Sequence, residues 1–484
     1  MSVPQLPEPF SLYPLTPFDY LFESSNFVTG WLVEGDIDRA ELEAALQRLT
    51  EKWRMLAGRI QLAVNDKVFF WCIRIPLGPL PPDYRTFALT SSTSQVPLST
   101  YVKVPIPSVS TSLPLSFFMD PSSPRGYHAF EASSHPITSW HLTYFPASSN
   151  GGTSYTAIGF MRSHGVFDGT GASKVTKALV SEMKGETWIP PALPSEGTVS
   201  NPIAHELSQH LSRNPSLGDT TEYKGYAPLG VVGLLKTVLW HLKETYWAGA
   251  DRRIVLLPKA ALTYIVAEVR RSLVDEGKEG HGVTSGDVIV AWIYKTIYSS
   301  GTSPTTVTHC TNLASIRGIL GNESSASEMF PGYVHNAFVP LPYPTFSVSQ
   351  VQETPLHALA EAFASYRLAL SKDQVALAYD LIKTLRRQNP FTIHPDANDD
   401  LLISNVSSSR ILETDWSLIG AKRTLCGYRY QVSVANMLFT NAVYIAGRLA
   451  DESVVLDTSL NSARMELFLN EVNRVTLAAG KGEQ

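Results

Sequence analysis

The chain has 484 residues, 44% hydrophobic and 17% charged, with a mean hydropathy of -0.02, which fits a globular protein rather than a disordered or membrane-spanning one and leaves room for two packed units. The net charge is -5 with an isoelectric point near 6.2, and no Lys/Arg block interleaves with aromatics, so no nucleic acid partner is expected. Cys72, Cys310 and Cys426 are far apart and odd in number, which suits packing residues in a reducing compartment better than a disulfide framework.

The N-terminal "MSVPQLPEPFSLYPLTPFDYLF" carries prolines and acids where a signal peptide needs a basic region and an apolar run, so a cytoplasmic location is expected. "FVTGWLVEG" reads as a strand. In "DIDRAELEAALQRLTEKWRMLAGRI", Leu42, Ala45, Leu46, Leu49, Trp53 and Leu56 share one helical face, and Asp38 with Glu41 makes a capping-box-like start. Pro-, Ser- and Thr-rich loops follow, including Ser91 to Pro114. "HLTYFPAS" and "TSYTAIGFMR", split by "SSNGG", predict a hairpin. The second strand runs into "SHGVFDG", Ser163 to Gly169, and a helix follows with Val175, Leu179 and Met183 at helical spacing and Gly185 at its end.

Between Trp188 and Pro202 the composition shifts to Pro, Ser and Gly. The predicted division is 1–195, a linker at 196–225 and a second unit at 226–484, with some segments crossing over. The apolar run Tyr226 to Leu242 is interrupted by Lys236 and is shorter than the ~20 residues a span requires. It predicts a buried helix, with a membrane-surface element as the alternative. "DRRIVLLP" reads as a strand, "KAALTYIVAEVRRSL" as a helix, Thr284 to Ser300 as a capped apolar helix, and His357 to Arg387 as one long helical segment. Strands in "YQVSVANML", "NAVYIAGRL" and "SVVLDTSL" precede a terminal helix, "SARMELFLNEVNRV". Helices and strands mix in both halves without a repeat, which predicts an α/β architecture.

His164 is the residue with the most evident chemistry. An imidazole titrates near neutrality, and a positioned base contributes about 10² to 10⁴ in rate. Gly165, Gly169 and Gly171 would let backbone or a ligand come close. Spacing alone leaves a second reading open, in which Asp168 or Thr170 caps the helix and His164 is an ordinary buried histidine.

The arrangement resembles the HxxxD acyltransferase superfamily, which includes the plant BAHD enzymes, fungal secondary-metabolite O-acyltransferases such as trichothecene acetyltransferases, chloramphenicol acetyltransferase and condensation domains. "SHGVFDG" carries the signature. "LEAALQRLTEKWRMLAGRI" is similar to the family's first helix, "VTSGDVIVAWIYK" to the helix opening its second half, "NLASIRGIL" to its arginine-bearing strand and "PGYVHNAF" to its Pro-Gly-Tyr-x-x-Asn turn. "DLLISNVSSSRILETDWSLIG" runs in the register of the plant segment between a Thr-Ser-Trp triplet and an Asp-Phe-Gly-Trp-Gly motif. Asp415 and Trp416 match it. Val406, Ser417, Leu418 and Ile419 do not, which fits a divergent fungal member.

The resemblance implies two chloramphenicol acetyltransferase-like domains, each a mixed β-sheet with helices, with a tunnel between them. It implies that His164 takes the proton of an acceptor hydroxyl, which attacks the thioester of an acyl-CoA, expected to be acetyl-CoA, with no bound cofactor and no metal. Asp168 would pair with Arg317 and hold the loop with Gly169, and Asp415 would be structural. Ser404, with Asn405 and Ser407 beside it, would serve the oxyanion or the substrate, while Asn336 would fix its own turn. The partners implied are a small, apolar, secondary-metabolite-like alcohol and acyl-CoA, with the chain monomeric. Ser163 stands where condensation domains carry a second histidine, which favours free acyl-CoA over a carrier-protein thioester. A binding protein or cyclase reusing the tunnel is the reading from another class.

Overall fold

The computed structural model describes residues 8–481 except 66, 229, 279–281, 322–331, 386–389, 393, 395 and 434–438. The start of the N-terminal stretch, Pro331 of the Pro-Gly-Tyr turn, Arg386 and Arg387, and the end of the "YQVSVANML" strand therefore lie outside the described residues.

In chain order the strands of the two main sheets are β1 (Ser25–Glu34), β2 (Ala88–Thr93), β3 (Val109–Thr111), β4 (Thr138–Phe145), β5 (Tyr155–Ser163) and β6 (Asp251–Leu257). They continue with β7 (Val307–Ser315), β8 (Phe338–Pro340), β9 (Asp399–Asn405), β10 (Arg423–Ser433), β11 (Ala442–Arg448) and β12 (Val454–Leu460). The longer helices are α1 (Arg39–Lys52), α2 (Gly169–Lys184), α3 (Pro202–Arg213), α4 (Gly230–Tyr246) and α5 (Lys259–Asp275). After them come α6 (Ser285–Ile297), α7 (Leu356–Ala369), α8 (Lys372–Leu385) and α9 (Ser462–Lys481).

One sheet has the order β10-β1-β5-β4-β2, antiparallel except for the β4–β2 pair. The other runs β8-β7-β9-β11-β12-β6-β3, with β7–β9 and β9–β11 parallel. Both are mixed, as the α/β reading requires. The chain crosses between them: β10 comes from the late chain and covers the edge of β1, whereas β3 comes from the early chain and closes the edge beside β6. Each of these strands thus ends a sheet built mainly from the other part of the chain. Two hydrophobic clusters fill the molecule. One centres on the first sheet, α1, α2 and the Trp31, Trp140 and Trp416 side chains, and the other on the second sheet, α5, α6, α7 and α8.

Several elements depart from their sequence reading for physical reasons. Asp38 caps α1 by accepting from the Ala40 and Glu41 backbone N–H groups, but the helix stops at Lys52, and after Trp53 the chain continues as a 3₁₀ turn, Arg54–Ala57. The segment at 196–225, read as a linker, contains α3, because Asn201 caps it and Ile203 and Leu207 are fully buried. The long segment after His357 is two helices. Ser371 and Gln374 form a reciprocal cap that starts α8 afresh. The loop region Ser91 to Pro114 holds the end of β2 and all of β3.

The largest correction concerns Tyr226 to Leu242. Tyr226 is buried, but α4 is not a buried helix: Val231, Val232, Leu235, Leu239 and Leu242 are exposed, and Glu244 is its one buried residue. The helix is apolar nearly all round, and only one of its faces finds a cover. Among the described residues, no helix is long and apolar enough to cross a membrane.

Candidate active site

β5 delivers the chain at Ser163 to a five-residue loop, and α2 begins at Gly169. The loop's inner side is fixed by charge and hydrogen bonding. Asp168 is the N-cap of α2, its Oδ1 accepting from Gly171 N at 2.8 Å. The same carboxylate pairs with Arg317, whose Nη2 lies 3.0 Å from Oδ1 and whose Nη1 lies 2.8 Å from Oδ2. Arg317 follows β7 directly and opens a short helix, Arg317–Gly321, rather than lying in the strand. Its remaining donors reach the carbonyls of Tyr333 at 3.0 Å and His335 at 2.8 Å. Both partners are buried, so Arg317 is a paired internal charge.

A second clamp was not legible in the loop itself. Asn336 Nδ2 donates to the His164 carbonyl at 2.8 Å and to Asp19 Oδ1 at 2.9 Å, and Asn336 N donates to the same oxygen at 3.0 Å. Asn336 therefore holds the histidine loop rather than its own turn, which corrects the sequence expectation. Asp19 is completely buried and also accepts from Thr16 N and Oγ1. Burial outweighs these hydrogen bonds and pushes its carboxyl up to about 6. Its sequence signal was present in "TPFD", a Thr-x-x-Asp capping pattern.

The glycines serve close packing. A Cβ on Gly171 would sit 1.8 Å from the Val334 carbonyl oxygen, and one on Gly165 would sit 2.2 Å from the Tyr127 hydroxyl, which bonds the Gly165 carbonyl. At Gly169 a Cβ would meet Val406 at 3.1 Å. Val406, at the position of the plant triplet's tryptophan, thus packs against the turn into α2.

The outer side of the loop faces a cavity of about 2050 Å³ lined from both sheets. His164 lies in its wall with 8% of its surface exposed, stacked on Phe22 at 4.0 Å and edge-on to Phe27 at 4.7 Å between ring centroids. Its Nδ1 is buried without a hydrogen bond of normal geometry, which leaves Nε2 as the nitrogen open to the cavity. Burial, then the charges of Arg429 and Arg162, push the imidazole down to about 3, and the backbone at His164 and Phe167 opposes this weakly. The ring is therefore neutral at pH 7 and can accept a proton.

The cavity wall brings Ser404, Asn405, Ser407 and Asp415 together with His164, Asp168, Gly169 and Arg317. Their engagement differs. Asn405 Oδ1 accepts from Ser407 N at 3.1 Å and Ser407 Oγ at 2.6 Å, so Ser407 serves a local turn. Asp415 likewise accepts from Ser417 N and Oγ and makes no bond to the histidine loop. Trp416 is buried and packs edge-on against Trp31 and Trp140. The sequence reading missed Arg162 and Arg429, which also line the cavity.

No protein-family profile matches the sequence. The chain is 23% identical over 331 residues to the O-acyltransferase pboC of Aspergillus ustus, a match covering 65% of this chain and 64% of that protein. It is 22% identical over 310 residues to the acetyltransferase BOT5 of Botryotinia fuckeliana, covering 59% and 52%. Each match spans less than two thirds of the relative's length. Among solved structures, TRI101 of F. sporotrichioides, complexed with coenzyme A and T-2, superposes with a TM-score of 0.59 at 15% identity, covering 94% of this chain and 96% of that one. TRI101 of F. graminearum with coenzyme A and deoxynivalenol gives 0.60 at 13%, covering 94% and 96%, and vinorine synthase gives 0.54 at 13%, covering 96% and 93%. The chain thus has the fold of the acyltransferases its motifs resemble.

Proposed function

We propose that the protein transfers an acyl group from an acyl-CoA, expected to be acetyl-CoA, to the hydroxyl of a small acceptor with an apolar body, using His164 as general base. The observation that carries this reading is a neutral imidazole, clamped from behind, in the wall of a cavity of about 2050 Å³. That volume exceeds the roughly 300–1,000 Å³ of an ordinary single-ligand pocket and suits two substrates held together. The fold shared with structures that hold coenzyme A, and the names of the two curated relatives, support the same reading.

In this mechanism His164 Nε2 removes the acceptor's hydroxyl proton as the oxygen attacks the thioester carbonyl. The C–S bond then breaks, and the imidazolium returns the proton to the departing thiolate. No acyl-enzyme forms. Holding both substrates in one cavity makes the encounter effectively unimolecular. The charge that develops on the carbonyl oxygen needs a preorganised donor. Ser404 is the assignment for that role, with Asn405 beside it, because the Ser407 hydroxyl is committed to Asn405. Asp168, Arg317, Gly169 and Asn336 position the loop and take no part in proton transfer.

The test is incubation of the purified protein with acetyl-CoA and longer acyl-CoAs against a panel of polycyclic alcohols, reading free thiol and acylated product by mass. Product that depends on His164 is expected. Product that survives His164→Ala overturns the mechanism, and turnover only with a carrier-protein thioester replaces the donor. Tight alcohol binding without turnover on any donor replaces the enzyme with a binding protein.

A further inference from the structure

The first sheet places two arginines on its cavity face. In the antiparallel register Arg162 of β5 lies opposite Phe27 of β1, and Arg429 of β10 lies opposite Thr29 of β1. Residues 27 and 29 share one face of the strand, so the two guanidinium groups approach β1 from opposite sides on that face. They meet over one ring. Arg429 Cζ is 4.0 Å and Arg162 Cζ 5.5 Å from the Phe27 centroid, and that ring is 4.7 Å from the His164 ring. Arg429 is also stacked on Tyr444 at 4.0 Å, and Arg162 on Phe160 at 4.9 Å.

Among the described residues neither arginine is paired with a carboxylate. Among the described residues Arg162 Nη1 donates to Thr29 Oγ1 at 3.1 Å and the Phe160 carbonyl at 3.3 Å, and its Nε, on a side chain in a residue only 2% exposed, has no hydrogen-bond partner. The carboxylates whose charge reaches them are already taken. Asp168 is held by Arg317, and Asp457 accepts from Arg252 Nε at 2.8 Å. A buried guanidinium and a half-buried one over the same ring, with no carboxylate of their own among the described residues, are costly unless an anion joins them.

We propose that Arg162 and Arg429 form a carboxylate-binding subsite beside His164, so that one of the two substrates carries a carboxylate next to the reacting centre. The proposal rests on the acyl-transfer reading above and names the substrate chemistry it requires. A guanidinium fork matches a carboxylate in two-point geometry, and aromatic stacking on both arginines preorients them for it. The phosphates of coenzyme A do not serve here, because the full pantetheine arm separates them from a thioester placed at His164. The carboxylate therefore belongs to the acceptor, as a hydroxy acid, or to the acyl group, as a dicarboxylic acyl-CoA. Burial and mutual repulsion hold Arg162 down at about 9, and both arginines depress His164. A bound carboxylate cancels that repulsion and strengthens His164 as a base once its substrate is in place.

The experiment has two kinetic arms and one binding arm. The first compares hydroxy acids, such as 4-hydroxycinnamate, with their methyl esters as acceptors for acetyl-CoA. The second compares malonyl-CoA with acetyl-CoA on neutral alcohols. At least a tenfold preference in kcat/KM for the charged member is expected in one arm, and Arg162→Gln or Arg429→Gln brings that ratio towards one, mainly through KM. Equal kcat/KM for charged and neutral members in both arms overturns the subsite while leaving acyl transfer standing. The binding arm is calorimetric titration of 4-hydroxycinnamate and malonate into the wild type and Arg429→Gln. If no pair turns over, the acyl-transfer reading fails, yet binding lost in Arg429→Gln still supports the subsite. Absence of both turnover preference and wild-type binding overturns it. The wild-type ratio and the part-exposed Arg429 keep the test decisive if the fully buried Arg162 variant does not fold.

Discussion

The two sides of the Ser163–Gly169 loop treat charge in opposite ways. Behind the loop the charged groups are bonded: Arg317 meets Asp168 and two carbonyls, and Asp19 accepts from Thr16 and Asn336. In front of it, Arg162 and Arg429 share a ring with no carboxylate paired to either among the described residues, and His164 stands neutral between aromatic faces. The difference separates holding from reacting. A fully paired buried ion pair is rigid and cannot readily change protonation, whereas an electrostatically incomplete wall is where a ligand or a proton gains most by arriving.

Variants on the two sides should therefore fail differently. His164→Ala is expected to lower the rate of thiol release by about 10² to 10⁴ while the chain keeps its folded circular dichroism. Arg317→Met leaves the Asp168 carboxylate buried and unpaired, and should lower unfolding stability in urea by about 3–5 kcal/mol, with activity falling through misplacement of the loop. Equal losses of stability from these two variants would erase the distinction. Asn336→Ala removes the Nδ2 donor to the His164 carbonyl and to Asp19 Oδ1 while the backbone N–H at 336 still reaches Asp19, and a smaller loss of about 1–3 kcal/mol is expected from the same urea titration.

The front of the loop also has a pH signature. His164 at the cavity and His335 behind the loop are both buried, and burial pushes them down to about 3 and about 4, against about 6.5 for an exposed histidine. As the pH falls below about 6.5 the unfolded chain takes up protons there that the folded chain does not, so stability falls on acidification, by up to about 1.4 kcal/mol per pH unit for each ring. Asp19, pushed up to about 6, binds its proton in the folded state first and opposes this between pH 6 and its ordinary range. Urea midpoints from pH 7 to 4.5 should show a net fall, and His164→Gln should make the slope shallower. An unchanged slope would mean that His164 is not held neutral by burial. The smallest effect is a control distant from both sides: Leu239→Ser on the exposed stripe of α4 should change stability by no more than about 0.5 kcal/mol.

Much of the reactive loop was readable from local sequence. The β-rich run before Ser163, the helical spacing after Gly169 and the His-Asp pair placed the motif on a strand-to-helix turn. The role of Asp168 as a cap was also legible, since its partner Gly171 lies within one turn. Asp19 and Asn336 were less so. Each carries a local signal, but their joint grip on the His164 carbonyl brings together three distant segments. Arg162 and Arg429 gave no signal, because their meeting over Phe27 depends on β10 pairing with β1 across most of the chain.

The sequence by itself determined the local geometry: alternation made the strands, caps such as Asp38, Asp168 and Thr284 started the helices, and Gly185 ended α2. Tertiary structure alone decided which apolar surface is covered. α6 and α4 read alike as apolar runs, yet α6 is buried along nearly its whole length, while α4 leaves Val232, Leu235 and Leu239 in solvent. Periodicity reports which side chains share a face. Burial depends on whether another part of the chain arrives to cover that face, and the same long-range arrival leaves two arginines facing a cavity beside His164.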